Sequence, residues 1–147
     1  MNESHTITID HTHFNINVNK GCITTTYTLN EIDNAKLKKL IADKSVNLIL
    51  DLSKLEKTRL YNTLIINNTN NTLEDLKKNL TQIIFPQNFN NLTLGKECFS
   101  HCTKLEKVKF ESAPSYSTLK LGDSCFYKCT NLKEIYYPSQ FKLNRDG

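Results

Sequence analysis

Short runs in which apolar and polar residues alternate recur along this chain. Thr6-Ile7-Thr8-Ile9 and Phe14-Asn15-Ile16-Asn17-Val18 alternate with period two, as does the Thr- and Tyr-rich stretch from Ile23 to Leu29. Alternation sends successive side chains to opposite faces of an extended chain, so each run predicts a strand with one buried face. Asn19-Lys20-Gly21 is a turn signal between them. Residues 1–30 therefore predict a small antiparallel sheet. The period then lengthens. Ala35, Leu37, Leu40 and Ile41, with lysines between, predict a helix that Asn30 or Asp33 could start. Val46 to Leu50 reads as a buried strand, Leu60 to Ile66 as another, and Leu73, Leu76 and Leu80 as a short helix.

The C-terminal third shows what these pieces belong to. Leu92 to Phe110 (LTLGKECFSHCTKLEKVKF) and Leu119 to Tyr137 (LKLGDSCFYKCTNLKEIYY) superimpose when Leu92 is laid on Leu119, identical at eight of 19 positions. The shared skeleton is L-x-L-G-x-x-C-F-x-x-C-T-x-L, followed by an apolar-x-aromatic triplet. Self-similarity at a period of roughly 20–50 residues marks a stacked repeat. Each unit holds two very short strands with a turn-rich or helical piece between. Gly95 and Gly122 stand where the chain must turn sharply and φ can be positive. Phe99, Cys102 and Leu105 lie at i, i+3 and i+6, which keeps one side of a single helical turn pointing inward. Phe126, Cys129 and Leu132 repeat the spacing. With Leu94, Cys98, Leu121 and Cys125 they form the predicted repeat core, because one unit buries its apolar side only against the next.

The run G-x-x-C-F-x-x-C-T-x-L-x-x-I/V, with proline shortly after, resembles the BspA-like leucine-rich repeats. The family pattern has small-Phe-x-x-Cys where this chain has Cys98-Phe99-Ser100-His101-Cys102 and Cys125-Phe126-Tyr127-Lys128-Cys129. A triplet-Pro-x-x-aromatic step extends the likeness, at Ile83-Ile84-Phe85-Pro86-Gln87-Asn88-Phe89 and at Ile135-Tyr136-Tyr137-Pro138-Ser139-Gln140-Phe141. The resemblance implies an α+β repeat fold, a leucine-rich-repeat solenoid of short strands and short helices or turns. Within it, residues 1–30 become an N-terminal β-strand cap. Residues 31–91 become degenerate repeats, and residues 92–147 two clear repeats plus a truncated final unit, all in one compact domain. Phe141-Lys142-Leu143 has the look of that last strand. It further implies a non-catalytic module that binds a partner protein, or else a structural segment of a longer surface adhesin in a host-associated microbe.

Composition narrows the function without naming it. The net charge of +4 is small, and Lys and Glu are interleaved without a basic stripe, which argues against nucleic acid as a partner. No run approaches the ~20 apolar residues of a membrane span, and no apolar segment opens the chain. The expectation is a cytoplasmic protein with no membrane insertion, or a cell-surface or secreted one if a leader precedes this sequence. No phosphate-cradling glycine loop, G-x-S-x-G or H-E-x-x-H occurs, so no enzyme activity and no cofactor are expected.

The candidate sites follow from the repeat. Within each strand triplet the middle residue should face away from the core. Stacking then aligns Ile84, Lys109 and Tyr136 in one outward column, and Thr93, Lys120 and Lys142 in another. Aromatic area with charge at its rim is what a protein interface needs. The cysteines have three readings: core packing, which is favoured, four-thiolate zinc binding, and disulfides. C-x3-C spacing is unlike the usual C-x2-C zinc knuckle, and no metal site is expected. His11 and His13 form an H-x-H pair that, on a strand, would place both rings on one face. An open C-terminal end of the array calls for cover by further chain, by a partner, or by a second copy as a homodimer.

Overall fold

The structure, a computed structural model, describes residues 5–14, 16–20, 25–29, 34–43, 45–55, 61–66, 71–86, 91–110, 118–136 and 143–145. In chain order the elements are β1 (His5–Asp10), a 3-10 turn (His11–His13), β2 (Ile16–Lys20), β3 (Thr25–Leu29), α1 (Ala35–Ala42) and β4 (Val46–Asp51). They continue with β5 (Tyr61–Ile66), α2 (Asn71–Leu76), β6 (Leu80–Phe85), β7 (Asn91–Leu94), β8 (Lys107–Phe110), β9 (Thr118–Leu121), β10 (Glu134–Tyr136) and β11 (Leu143–Arg145).

From β3 onward successive strands alternate between two sheets. One runs β1-β4-β6-β8-β10 and the other β11-β9-β7-β5-β3-β2. Apart from the antiparallel β2–β3 pair, every described pairing is parallel. This is what a repeated strand–turn–strand unit produces: each strand lies beside its counterpart one unit later. The steps between paired residues are longer in the N-terminal half of each sheet than in the C-terminal half. In the first sheet they run from Ile9 to Leu50, Leu50 to Ile83, Ile83 to Val108 and Val108 to Ile135. In the second they run from Tyr27 to Leu64, Leu64 to Leu92 and Leu92 to Leu119. The longest step in each sheet is the N-terminal one, where α1 is inserted in the connection.

Alternation puts one face of each sheet into a shared core. Val46, Leu48 and Leu50 of β4 are buried, and Asn47, Ile49 and Asp51 between them are half-buried. Ile83 and Phe85 of β6 and Val108 and Phe110 of β8 enter the same cluster. From the second sheet come Leu64, Ile66, Leu92 and Leu94. The phase of β4 against β6 slips between Leu48 and Ile49, where the register shifts. Thr81 takes up the slack: its hydroxyl donates to the Leu48 carbonyl at 3.0 Å, and its own carbonyl accepts the Glu106 N–H at 2.9 Å.

Several sequence expectations change here. The N-terminal strands are not a separate antiparallel sheet. β1 lies parallel to β4 in the first sheet, while β2 and β3 join the second, so only the β2–β3 hairpin is antiparallel. Ile9 packs into the common core, and that burial draws β1 away from its neighbours in sequence. Asn34, not Asn30 or Asp33, caps α1: its side chain accepts the Leu37 N–H at 3.1 Å. Leu80 opens β6 rather than closing α2. The last strand begins at Leu143, and residues 141 and 142 lie outside the described residues.

One buried polar side chain holds three successive coils. Asn79, 1% exposed, donates its Nδ2 to the carbonyls of Ile41 (3.3 Å) and Asp43 (2.5 Å) in the preceding coil. Its Oδ1 accepts the Lys104 ammonium of the following coil at 3.1 Å. The register places Lys104 on the rung of Asn79, and Asn131 on the rung after, where its Nδ2 donates to the Thr103 carbonyl at 2.6 Å. Asn79→Ala removes three hydrogen bonds from an enclosed site, so it is expected to lower stability by about 2–3 kcal/mol in denaturant titration. Asn131→Ala, at an exposed site, is expected to cost about 1 kcal/mol or less.

Candidate functional site

The segments joining β7 to β8 and β9 to β10 are hydrogen-bonded turns, where the sequence left a turn-rich and a helical piece open. Cys98 N–H donates to Gly95 at 3.2 Å, Ser100 to Glu97 at 3.2 Å, and Leu105 to Cys102 at 3.1 Å. One coil later Cys125 donates to Gly122, Tyr127 to Ser124 and Leu132 to Cys129, at 3.1–3.2 Å. Glu97 and His101 take positive φ (57° and 62°), and their equivalents Ser124 and Lys128 do the same (56° and 63°). These left-handed residues stop a helix from propagating. They also turn every second N–H toward the next coil. Glu97, Phe99 and His101 donate to the carbonyls of Asp123, Cys125 and Tyr127 at 2.8, 2.9 and 2.6 Å. The turns are thus a third ladder beside the two sheets.

Gly122 sits where the coils come closest. A Cβ there would lie 2.6 Å from the Gly95 carbonyl carbon and 2.6 Å from the Lys96 nitrogen, and both are backbone atoms. Close approach therefore demands the glycine, and the positive φ angles fall on non-glycine neighbours. Inside the turns Phe99 is 1% exposed, with Cys98, Cys102 and Leu105 fully covered. The Phe99 and Phe126 rings stack at 5.9 Å with planes 12° apart, and Phe99 meets Phe85 edge-on at 6.3 Å. Phe126, Cys129 and Leu132 repeat the inward pattern but stay half-buried. The repeat core named from the sequence is therefore one stack, thinner at its C-terminal end.

The cysteines pair across coils rather than within a C-x3-C motif. All four, Cys98, Cys102, Cys125 and Cys129, are free thiols. The Cys129 thiol donates to the Phe99 carbonyl of the preceding coil at 3.1 Å. Burial pushes Cys98 well up, and pushes Cys125 up to about 12. Cys102 is also pushed up, first by donating its proton to Cys129 and then by burial. Cys129 moves the other way, because Cys102 stabilises its thiolate. Among the described residues no group of three or more His, Cys, Asp or Glu is placed to hold a metal ion. The His11–His13 pair lies in a 3-10 turn rather than on a strand, and His13 Nδ1 accepts the Asp10 N–H at 3.1 Å as part of its cap.

A feature invisible in the sequence lies beside this stack. Lys77, whose side chain is only 8% exposed, donates to Glu74 at 2.8 Å and to the Glu97 carbonyl at 2.9 Å. It forms the floor of a cleft of about 480 Å³, walled by Glu97, Ser100, His101, Ser124 and Tyr127. Tyr127 is 54% exposed, meets His101 edge-on at 5.7 Å, and carries the Lys128 ammonium 5.5 Å from its ring centre. A lysine among lysines and glutamates reads as solvated, so no sequence signal marks Lys77.

The strand columns named from the sequence follow the register. Ile84 pairs with Lys109 and Lys109 with Tyr136, while Asp10 and Asp51 precede them. Ile84 is half-buried and Lys109 exposed. In the second sheet Thr93 pairs with Lys120 and Lys120 with Asn144, so Asn144 holds the rung assigned to Lys142. Asp10 and Asp51 close their strands alike, each carboxylate accepting the N–H two positions further on at 2.9 Å. The Thr12 hydroxyl is the main cause that holds the Asp10 carboxyl below its usual range.

A family model described as "BspA type Leucine rich repeat region (6 copies)" matches residues 71–146, just over half of the chain. The chain belongs to the BspA-type leucine-rich repeat family. The match covers α2 to β11, the part where the steps from rung to rung are shortest. It leaves β1 to β5 outside the family pattern, although they pair in the same sheets. Searches of curated proteins and of solved structures gave no significant match. A BspA-type repeat domain suggests a repeat module for protein interaction or an adhesin-like role. No described helix is long and apolar enough to cross a membrane.

Proposed function

We propose that the chain is a non-catalytic protein-binding module, a leucine-rich-repeat solenoid that grips a partner protein with its outer strand faces. The reading is supported above all by the cross-strand column Asp10, Asp51, Ile84, Lys109 and Tyr136. Parallel rungs hold these positions about 4.8 Å apart on a backbone fixed by the core behind it. Beside it runs a second column, Thr8, Ile49, Gln82, Lys107 and Glu134. The strip passes from acidic at the N-terminal coils to apolar and basic at the C-terminal ones. That mixture suits a protein surface with its own apolar centre and charged rim. It lacks the uniform positive charge that nucleic acid requires. The Lys107–Glu134 pair on it, 3.5 Å apart and exposed at both ends, adds little stability and leaves the strip adaptable.

The double variant Lys109→Glu, Tyr136→Glu tests this. Immobilised protein is incubated with extract of the source cell, and captured proteins are compared with those held by the unsubstituted chain. The expected result is loss of a specific captured protein by about tenfold or more, as for a central interface contact, with the melting temperature unchanged. Equal capture by both proteins would remove this face from consideration.

A further inference from the structure

We propose that Cys129 and Cys102 form an oxidisable thiol pair, a site where a peroxide converts two thiols into a disulfide that clips neighbouring coils together. Three observations carry this. The first is placement. Cys102 and Cys129 hold the same position in successive repeats, and the segments that carry them are tied by Phe99 N–H to Cys125, His101 N–H to Tyr127 and Asn131 Nδ2 to Thr103. Neighbouring rungs lie about 4.8 Å apart, inside the Cα separation of about 4.4–6.8 Å that a disulfide accepts. The Cys129 thiol reaches back into the coil that carries Cys102, where it donates to the Phe99 carbonyl at 3.1 Å.

The second is asymmetry of access. Cys102 is fully covered and Cys129 half-buried, so a small oxidant meets Cys129 first. The third is charge. The Cys102 thiol and amide stabilise a thiolate at Cys129, and the Lys77 ammonium adds to the effect. Thiolate character and access together govern reactivity toward peroxide. The other pair, Cys98 and Cys125, is buried at 0% and 4% exposure, and burial keeps both protonated. One pair is thus built to react and its neighbour to stay inert.

The step balances with hydrogen peroxide as the oxidant. The Cys129 thiolate attacks one peroxide oxygen: an S–O bond forms, the O–O bond breaks, and hydroxide leaves and takes up a proton to become water. The Cys102 sulfur, giving up its proton, then attacks the sulfenic sulfur of Cys129. The S–S bond forms, the S–O bond breaks, and a second water leaves. A dithiol reductant reverses the change by exchange. The clip falls where the core is thinnest, with Phe126 and Leu132 half-buried and Ile135 48% exposed.

The test is peptide mapping of the full chain after brief exposure to hydrogen peroxide, without reductant. Trypsin separates residues 97–104 from residues 129–133. The expected product joins these two peptides and weighs two hydrogens less than their sum. Fragmentation should place the link on Cys102 rather than Cys98, and dithiothreitol should abolish it. Cys129 should react about tenfold faster or more than Cys98 or Cys125. The melting temperature should rise on oxidation by about 5–10 °C. In Cys102→Ser, Cys129 should stop at the sulfenic acid and be trapped by dimedone. A link through Cys98 or Cys125, or Cys129 passing to the sulfinic acid unlinked in the unsubstituted chain, would overturn the proposal. Mapping of the unsubstituted chain decides the matter even if the variant does not fold.

Discussion

Phe99→Ala should destabilise the fold by about 3–5 kcal/mol, the cost of emptying a fully enclosed aromatic site. Phe99 is 1% exposed, stacked on Phe126 at 5.9 Å and edge-on to Phe85 at 6.3 Å, so no single neighbour can swing in to fill the void. Phe126 is the same residue type on the next rung, but it is only half-buried, so Phe126→Ala should cost about 1–2 kcal/mol. The contrast carries the information. Two phenylalanines equivalent in sequence differ in cost because one is fully enclosed and the other only half-buried. Urea titration followed by circular dichroism measures both. Equal costs would mean that Phe126 is as enclosed as Phe99 and that the stack does not thin toward β10.

Gly122→Ala is expected to destabilise by about 2–3 kcal/mol, and Gly122→Val by more. The added methyl would sit 2.6 Å from the backbone of Gly95 and Lys96, which cannot move without parting the coils. The same strain would lengthen the 2.7 Å bond from Gly122 N–H to the Leu94 carbonyl. The matching control has the opposite sign. Ser124 holds φ at 56°, a region that costs a side chain but not a glycine, so Ser124→Gly should be neutral or stabilising by about 1 kcal/mol. Thermal unfolding of the two variants separates close approach from backbone handedness as the reason for a glycine. A harmless Gly122→Ala would show that the coils are further apart than described.

Much of this architecture was legible in residues 92–137. There the same skeleton occurs twice in tandem, so strand, turn and inward positions can be read in one copy and compared with the other. The inward positions Leu94, Cys98, Phe99, Cys102 and Leu105 are buried where the pattern places them, because spacing within a repeat decides which side faces the next coil. Turn conformation was not legible. Positions at i, i+3 and i+6 suit a helix and a chain of tight turns alike, and only the left-handed Glu97 and His101 separate the two. The N-terminal topology escaped for a different reason. Alternation reveals a strand but not its partner, and β1 passes over β2, β3 and α1 to pair with β4 through burial of Ile9.

The polar contacts between coils were hidden as well. Asn79 is one of many asparagines in the chain, yet it is enclosed and bonded to two carbonyls. Lys77 reads as one more surface lysine, yet its ammonium is held under the turns by Glu74 and the Glu97 carbonyl. The carbonyls that hold Asn79 and Lys77 are too distant in sequence to leave a pattern. For the outer columns the situation is reversed. Their membership follows from triplet spacing alone, with Lys142 misplaced because the last strand is Leu143–Arg145 and not the Phe141-Lys142-Leu143 triplet that alternation suggested. Their role as a gripping surface rests on the proposed function.

The most direct test of the stacked-coil account is two-dimensional proton NMR on the full chain, read for contacts between equivalent positions of neighbouring coils. Cross-peaks should link the Phe99 and Phe126 rings, and the backbone protons of Leu92 with those of Leu119 and of Val108 with those of Ile135. A Phe99 ring without contact to Phe126, or strand neighbours paired in some other register, would contradict it.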